Sequence, residues 1–300
     1  MNSRNKLAAV VGPTAVGKTA FAIELAKALK AEIISFDSRQ FYRELRIGSA
    51  MPSAREQQEI PHHFIADRSV KAEINAGVFA TEALDLIQRQ PETPFLLVGG
   101  SGLYLKALTD GFDAIPAVPN KLRLSLNERY RSRGLTWLQE EVAQKDPDHY
   151  ERVDRKNPQR LLRALEIFEH TGKKLSSYQQ KQRTGSKLVM PKVGLSLERP
   201  ILYERINQRV EIMLKQGLLA EAKSLISERH RQSLQTVGYR ELFQYFDQNL
   251  SLAEAVSEIQ KNSRRYAKRQ LTWFRRDPEI KWFGPSQIEA ALHYLRPFFS

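Results

Sequence analysis

Residues Gly12 to Thr19 read Gly-Pro-Thr-Ala-Val-Gly-Lys-Thr, the spacing of a glycine, four residues and then Gly-Lys-Thr. Such a stretch cradles phosphate. Its glycines let the backbone turn tightly, so successive N–H groups converge on anionic oxygens at a helix N-terminus, where the macrodipole adds its attraction. Gly12, Pro13, Thr14, Ala15, Val16 and Gly17 would form the cradle, Lys18 would supply a point charge, and Thr19 offers a hydroxyl to a metal ion or a phosphate oxygen. A carboxylate follows at Asp37, in Asp37-Ser38-Arg39-Gln40, able to accept a proton, help hold a metal, or cap the next turn. Arg205 and Arg209 lie one helical turn apart, so both can face one anion or form a surface ladder with Glu204 or Glu211. The motif establishes phosphate binding and leaves the fate of the phosphate open.

Elements must carry these residues. Residues 7–11 (LAAVV) form a short apolar run of buried-strand type, and residues 20–30 place Phe21, Ile23, Leu25, Ala26 and Leu29 on a helical pattern. Strand, loop and helix therefore come in the order a phosphate loop needs. Residues 32–36 (EIISF) read as a second strand ending at Asp37, which sets that carboxylate beyond a strand's carboxyl end, where open parallel sheets bind ligands. A helix is expected over 76–90 and a third strand over 95–98, ending in Gly99-Gly100-Ser101-Gly102. Nucleotide hydrolases and many kinases commonly end this strand in an acid that positions magnesium. Glycines here weaken an ATPase reading and leave room for another ligand to approach the backbone closely.

Beyond Pro116 and Pro119 the chain turns helical, polar and basic, with helices expected over 121–133, 135–144, 147–153 and 157–171, the last ending at Gly172. Gln159, Arg160 and Arg163 project from a first turn that begins with Pro158. A strand returns at 192–197, then helices over 199–214 and 261–276, with Thr236 to Glu241 as a glycine-marked link. The expected fold is α/β, a P-loop NTPase-like core with a parallel sheet flanked by helices. The core is discontinuous, 1–118 and 189–300, around an inserted all-helical domain over 119–188.

Composition narrows the partners. The chain has 300 residues, 41% hydrophobic, enough for a sizeable core, and no cysteine, which excludes disulfides, zinc knuckles and a thiol nucleophile. His62 and His63 are adjacent and read as a strand-edge or packing pair, since helical zinc sites need an i, i+4 pair. No apolar stretch nears the roughly 20 residues of a membrane helix and no signal segment precedes the first strand, so a cytoplasmic protein with no membrane partner is expected. The net charge of +13 is concentrated: residues 151–190 hold ten basic against four acidic residues, and 261–276 hold seven basic and none acidic. That is +6 and +7, so the rest is neutral, the footprint of a polyanion partner such as nucleic acid. Tyr266, Trp273 and Phe274 interleave with the second stretch, which suits phosphate tracking with aromatic support, though Trp273 and Phe274 read as core.

Several stretches together resemble the tRNA dimethylallyltransferases (tRNA isopentenyltransferases), of bacterial type: GPTAVGKT, IISFDSRQFYRELRIGSAMPS, PFLLVGGSGLYLKAL, NPQRLLRALEIF, RINQRV, TVGYREL and AKRQLTWFRRD. They run in family order over nearly the whole chain. Members transfer a dimethylallyl group from its diphosphate to N6 of the adenosine immediately 3′ of the tRNA anticodon. The resemblance implies Asp37 as general base, Lys18 and Arg209 on the diphosphate with Arg205 beside them, and Thr19 on the bridging oxygen or on magnesium, which Asp37 would share. It implies tRNA contacts from Asp37, Ser38, Arg39, Gln40, Ser101, Arg123, Gln159, Arg160, Leu161, Leu162, Arg163, Thr236, Val237, Gly238, Tyr239, Arg240 and Glu241. Lys268 and Arg269, on the basic C-terminal helix, join them. Dimethylallyl diphosphate as co-substrate, Mg2+, and the tRNA anticodon stem-loop gripped by the helical insertion are the implied ligands of a monomer. Met51 stands where the family usually has lysine, and Ile74-Asn75 where Tyr-Ser is common, in a segment (64–79) that matches poorly.

The chemistry agrees with the residues. An adenine N6 lone pair is conjugated into the ring and nucleophilically weak, so a positioned base helps as attack proceeds, and a phosphate cradle stabilises a departing diphosphate. Three other readings share parts of this pattern: a P-loop kinase of a small metabolite or nucleoside, a prenyltransferase of free adenine nucleotides, and an RNA-binding protein with a vestigial loop. The absent strand-end acid argues against the first, and the basic insertion and helix against the second.

Overall fold

The computed structural model describes residues 6–72, 74–111, 113, 115–179 and 188–299. Among these, the residues within Met1–Thr109 and Lys187–Ser300 form one compact unit and those within Asp110–Ser186 a second.

The first unit is built on six parallel strands. β1 (Leu7–Val11) is buried along its whole length and leads through the glycine loop into α1 (Lys18–Leu29), which buries Phe21, Ala22, Ile23, Leu25 and Ala26. Gly17 precedes α1 at φ 104° and Lys30 ends it at φ 51°, so the helix is bounded at both ends by left-handed backbone. β2 (Glu32–Ser35), α2 (Ala54–Glu59), β3 (His62–His63), α3 (Ala76–Arg89), β4 (Phe95–Gly99) and α4 (Gly102–Asp110) follow. Asn75 caps α3 by accepting the N–H groups of Gly77 and Val78, giving that position a structural task. After the second unit, the chain returns as β5 (Lys192–Leu195). The strand order is β3-β2-β4-β1-β5-β6, every pairing parallel, with β1 flanked by β4 and β5. β1 and β4 are buried at every residue, as central parallel strands covered on both faces must be. A phosphate loop after β1 and helices on the sheet make this a P-loop NTPase-like α/β fold.

The two edge strands are the faintest in the sequence, which marks only His62 and His63 as a strand-edge or packing pair and gives no sign of β6 (Ile280–Phe283). β3 is two residues long and closes one edge, where His63 Nε2 lies 2.6 Å from Glu32 Oε2. β6 closes the other, pinned where Lys192 pairs with Asp277 at 2.8 Å and Glu279 at 2.9 Å.

The second unit is helical: α5 (Asn120–Lys145), α6 (Pro147–Arg152), α7 (Pro158–Thr171) and α8 (Leu175–Tyr178). Gly134, at φ 79° and ψ −175°, breaks α5 into two helical runs. Leu126, Leu138, Val142, Leu161, Leu162, Leu165 and Ile167 fill its core. Asp146, 1% exposed, knits it together by accepting from His149 N, Ser176 N and Ser176 Oγ.

The first unit finishes with α9 (Arg199–Lys215), α10 (Leu218–Ser224), α11 (Tyr239–Phe246), α12 (Leu252–Phe274) and α13 (Ile288–Leu295). α12 begins nine residues before the basic stretch starts, at a capping box of Ser251 and Glu254.

Candidate active site

The loop after β1 is held by close backbone packing and by side chains that bond to its peptide groups. Gly12 must lack a side chain, since a Cβ there would stand 2.9 Å from Leu195 O. Ala15 adopts φ 65°, a left-handed conformation that costs a non-glycine residue energy and clusters at ligand-binding turns. Lys18 bends back, its Nζ donating to the carbonyls of Gly12 (3.0 Å) and Pro13 (2.8 Å). Desolvation lowers the Lys18 pKa to about 8, with Arg209 adding to the shift and Asp37 opposing it. Thr19 occupies the first turn of α1.

α9 supplies both arginines to this loop. Arg209 Nη1 lies 3.4 Å from Thr14 Oγ1, and Arg205 Nη1 lies 3.4 Å from Val16 O. Neither pairs with Glu204 or Glu211; Glu204 instead accepts from Gln208 at 2.9 Å. Burial lowers the Arg209 pKa while Asp37 raises it, so the two side chains sense each other.

A cavity of about 430 Å³ opens beside the loop, lined by Thr14 and Ala15, by Asp37, Ser38 and Arg39, and by Ser101, Arg209, Thr236, Val237, Gly238, Tyr239 and Arg269. Its apolar wall is made by Ile206, Val210 and Met213 of α9, Leu218 of α10 and Ile259 of α12. Asp37 holds its place through backbone: Oδ1 accepts the Arg39 N–H at 3.0 Å and its own N–H donates to Ser35 Oγ at 3.3 Å. The cap-like bond engages one carboxylate oxygen of a residue that also lines the cavity. Ser101 Oγ accepts the Ser38 N–H at 3.1 Å and donates to Ser38 Oγ at 3.2 Å, tying the ends of β2 and β4 together.

Several residues expected to meet RNA are committed inside the protein. Gln40 accepts from Ser35 Oγ at 3.0 Å and donates to Ala50 O at 3.2 Å, so its amide fastens the 49–50 turn. Arg39 donates to Ser233 O at 3.0 Å. Glu241, 6% exposed, accepts from Gly238 N and from Asn262 Nδ2, each at 2.9 Å. Tyr239, 1% exposed, donates to Glu221 Oε1 at 2.6 Å, and Glu221 accepts the N–H groups of Ile47 and Gly48. Burial and Glu221 together push the Tyr239 phenol far above its ordinary pKa. Arg240 is half-exposed.

In the second unit Gln159 and Arg160 are exposed at the start of α7, while Arg163 and Arg123 both reach Glu166, at 3.1 and 3.7 Å. Leu161 and Leu162, at 0% and 2% exposure, pack in that unit's core, so their side chains cannot serve as RNA contacts. Apolar residues on a first helical turn face inward when the helix has a core to cover.

α12 brings one residue that sequence reasoning missed, Gln270, and two that it named only as aromatics among the basic residues, Tyr266 and Trp273. Gln270 accepts the Thr14 N–H at 2.8 Å and donates to Gly100 O at 3.0 Å. Tyr266 lies against Ser101 and near Asp37, its pKa raised to about 12 by burial first and by Asp37 second. Trp273 covers Gly102, where a Cβ would stand 2.1 Å from its Nε1. Phe274 is buried as expected, but Trp273 is 41% exposed and lines the cavity. The room left by Gly100 and Gly102 is thus taken by this helix. Positions 266, 270 and 273 share one helical face, a spacing that could have marked them.

Among the described residues no group of three or more His, Asp or Glu could hold a metal ion, and no helix is long and apolar enough to cross a membrane. Magnesium does not need such a cage, since it is commonly held by one or two carboxylates and substrate phosphates. Thr19 offers a hydroxyl and Asp37, which borders the cavity, a carboxylate, the oxygen chemistry that magnesium takes.

The model of the family described as IPP transferase matches residues 40–277. The tRNA dimethylallyltransferase of Christiangramia forsetii is 44% identical over 281 residues, 93% of each chain, and that of Flavobacterium johnsoniae 42% identical over 96% of each. Among solved structures, the full-length tRNA isopentenylpyrophosphate transferase of Bacillus halodurans superposes with TM-score 0.71 at 36% identity, covering 98% of this chain and 97% of that one. A eukaryotic dimethylallyltransferase acting on tRNA, 24% identical, shares the fold at TM-score 0.76, covering 95% of this chain and 75% of its own. A phosphate loop and a carboxylate that border one cavity are thus found in a chain that matches these relatives over 93% and 96% of its length: it is an enzyme and belongs to the IPP transferase family, among the tRNA dimethylallyltransferases.

Proposed function

We propose that this enzyme transfers a dimethylallyl group from dimethylallyl diphosphate to N6 of the adenosine immediately 3′ of the anticodon in tRNA. The observation that carries the reading is one cavity bordered by Thr14 and Arg209, which meet at the phosphate loop, by Asp37, and by the apolar row Ile206, Val210 and Met213. A donor with an anionic head and a five-carbon tail matches a cationic loop beside an apolar wall.

In this reaction the N6–C1 bond forms as the allylic C1–O bond breaks. The electron pair of that bond leaves with diphosphate, whose growing charge Lys18, Arg209, Arg205 and the loop N–H groups stabilise. The N6 proton passes to Asp37, the carboxylate that borders the cavity. When bound, magnesium would be held by Thr19, Asp37 and the diphosphate oxygens, and would neutralise charge on the leaving group. A base reaches such a pocket only after leaving its stack, which favours the splayed bases of an anticodon loop. The exposed Gln159 and Arg160 of the helical unit, and Lys268 and Arg269 of α12, suit a grip on the stem and loop backbone.

The direct test is incubation with dimethylallyl diphosphate, magnesium and an anticodon stem-loop carrying adenosine 3′ of its anticodon. Prenylated adenosine and one equivalent of diphosphate are expected. Absence of product with any adenosine-containing tRNA, or equal turnover of free AMP, would overturn the reading.

A further inference from the structure

Gln270 is 5% exposed, and both ends of its amide are in use. Its Oε1 takes the N–H of Thr14, inside the phosphate loop, and its Nε2 gives a hydrogen bond to Gly100 O, just past the end of β4. The approach is so close that a Cβ at Gly100 would lie 2.1 Å from Nε2 and 3.4 Å from Gly12 O. One side chain therefore joins three pieces of the site: the phosphate loop, the glycine end of β4, and α12. A loop N–H either points at the anion or is committed elsewhere, and that of Thr14 is committed to Gln270. The hydroxyl of the same Thr14 faces Arg209.

We propose that Gln270 is a positioning residue for the diphosphate donor. It stands at the strand end where nucleotide hydrolases carry an acid, and it fills that place with a neutral group that satisfies one donor and one acceptor at once. By fixing Thr14 it fixes the loop, and through Thr14 it orients Arg209. Because α12 also carries Lys268 and Arg269, this amide is where the RNA-facing helix holds the donor loop. The proposal rests on the reading of the site as a dimethylallyl diphosphate pocket.

Gln270→Met fills the space without either bond, leaving the Thr14 N–H and Gly100 O buried and unpaired. Gln270→Glu keeps the acceptor for Thr14, removes the donor to Gly100, and sets a carboxylate near an anion. Both are expected to weaken binding of inorganic diphosphate, measured by calorimetry, and to raise KM for dimethylallyl diphosphate by about tenfold to a hundredfold, the effect of stranding buried polar groups. Stem-loop affinity and the KM for RNA should move less than about threefold, on the scale of weak coupling between separate groups. A merely structural role would instead move both substrates together. Wild-type diphosphate affinity in either folded variant, or equal losses for both ligands, overturns the proposal; should Gln270→Met fail to fold, the isosteric Gln270→Glu carries the test. Wild-type protein that binds diphosphate but prenylates nothing would sink the functional reading alone, whereas normal prenylation with unchanged variants would sink this proposal alone.

Discussion

The guanidinium of Arg209 stands 3.4 Å from the hydroxyl of Thr14, so a cation on α9 closes the phosphate loop from the cavity side. Arg209→Ala should cut kcat/KM for dimethylallyl diphosphate by at least about a hundredfold, as loss of a charge-stabilising donor does. Arg209→Lys should recover little, because a point charge lacks the planar fork. Steady-state kinetics with saturating stem-loop checks this; unaltered kcat/KM in Arg209→Ala would remove it from the leaving-group site.

Asp37 lines the cavity with one carboxylate oxygen tied to the Arg39 N–H. Asp37→Asn keeps that acceptor and the shape of the turn while removing the base. The expected result is a fall in kcat of about 10²- to 10⁴-fold with RNA binding retained. Single-turnover kinetics and a filter-binding titration separate the two, and near-normal turnover would show that another group takes the proton.

Lys18 adds a pH dependence. Its pKa falls from 10.5 to about 8 because its surroundings desolvate the ammonium. A Lys with a depressed folded pKa holds its proton less firmly than the unfolded chain does. Between pH about 8 and 10.5 the unfolded state therefore binds more protons, and Lys18 contributes stability that rises with pH. Diphosphate binding runs the other way, since the anion favours the charged amine. Affinity should weaken as pH climbs past about 8, with proton uptake at pH 8 to 9 that Lys18→Met abolishes. Calorimetry in buffers of different ionisation enthalpy reads that uptake, and equal uptake in wild type and variant would assign it elsewhere.

The P-loop, the strand over 7–11, the carboxylate beyond the second strand and the paired arginines were all legible in the sequence, because each is a local pattern of spacing. Asp37 and Arg209, far apart in the chain, were joined by the family resemblance. Gln270 escaped notice because its task depends on a hydrogen bond to Gly100, 170 residues away, and a polar residue in a basic run reads as surface. β6 was missed for a related reason: Ile280–Phe283 alternates weakly and pairs only with β5. Leu161 and Leu162 show the opposite error. A motif carried whole onto the chain assigns RNA contact to side chains whose helical phase points them into a core.

Gly48 abuts Tyr239 so closely that a Cβ would lie 2.4 Å from its hydroxyl, and that hydroxyl is bonded to Glu221, which in turn holds the N–H groups of Ile47 and Gly48. Gly48→Ala drives a methyl into this knot. Overpacking of this kind typically costs about 1–3 kcal/mol, and here it also threatens three hydrogen bonds. Thermal melting should show a drop of several degrees, roughly 2–4 °C per kcal/mol for a chain of this length. An unchanged melting temperature would mean that the 47–50 turn moves aside freely.

The charge on α12 offers the last test. Lys268 and Arg269 are both exposed, Arg269 borders the cavity, and Tyr266 stacks beneath its guanidinium at 5.8 Å. Removing one cation from a phosphate should flatten the slope of log affinity against log salt by about 0.7 for single-stranded and 0.9 for duplex RNA, if the backbone behaves as DNA does. Lys268→Gln with Arg269→Gln is therefore expected to weaken stem-loop binding at low salt and to reduce that slope by about 0.7 to 1.8, the range for one or two neutralised phosphates. Binding of inorganic diphosphate, held by the loop and α9, should stay the same. A slope identical to wild type would place the RNA on another face of the enzyme. A parallel loss of diphosphate binding would show that these two residues serve the donor instead.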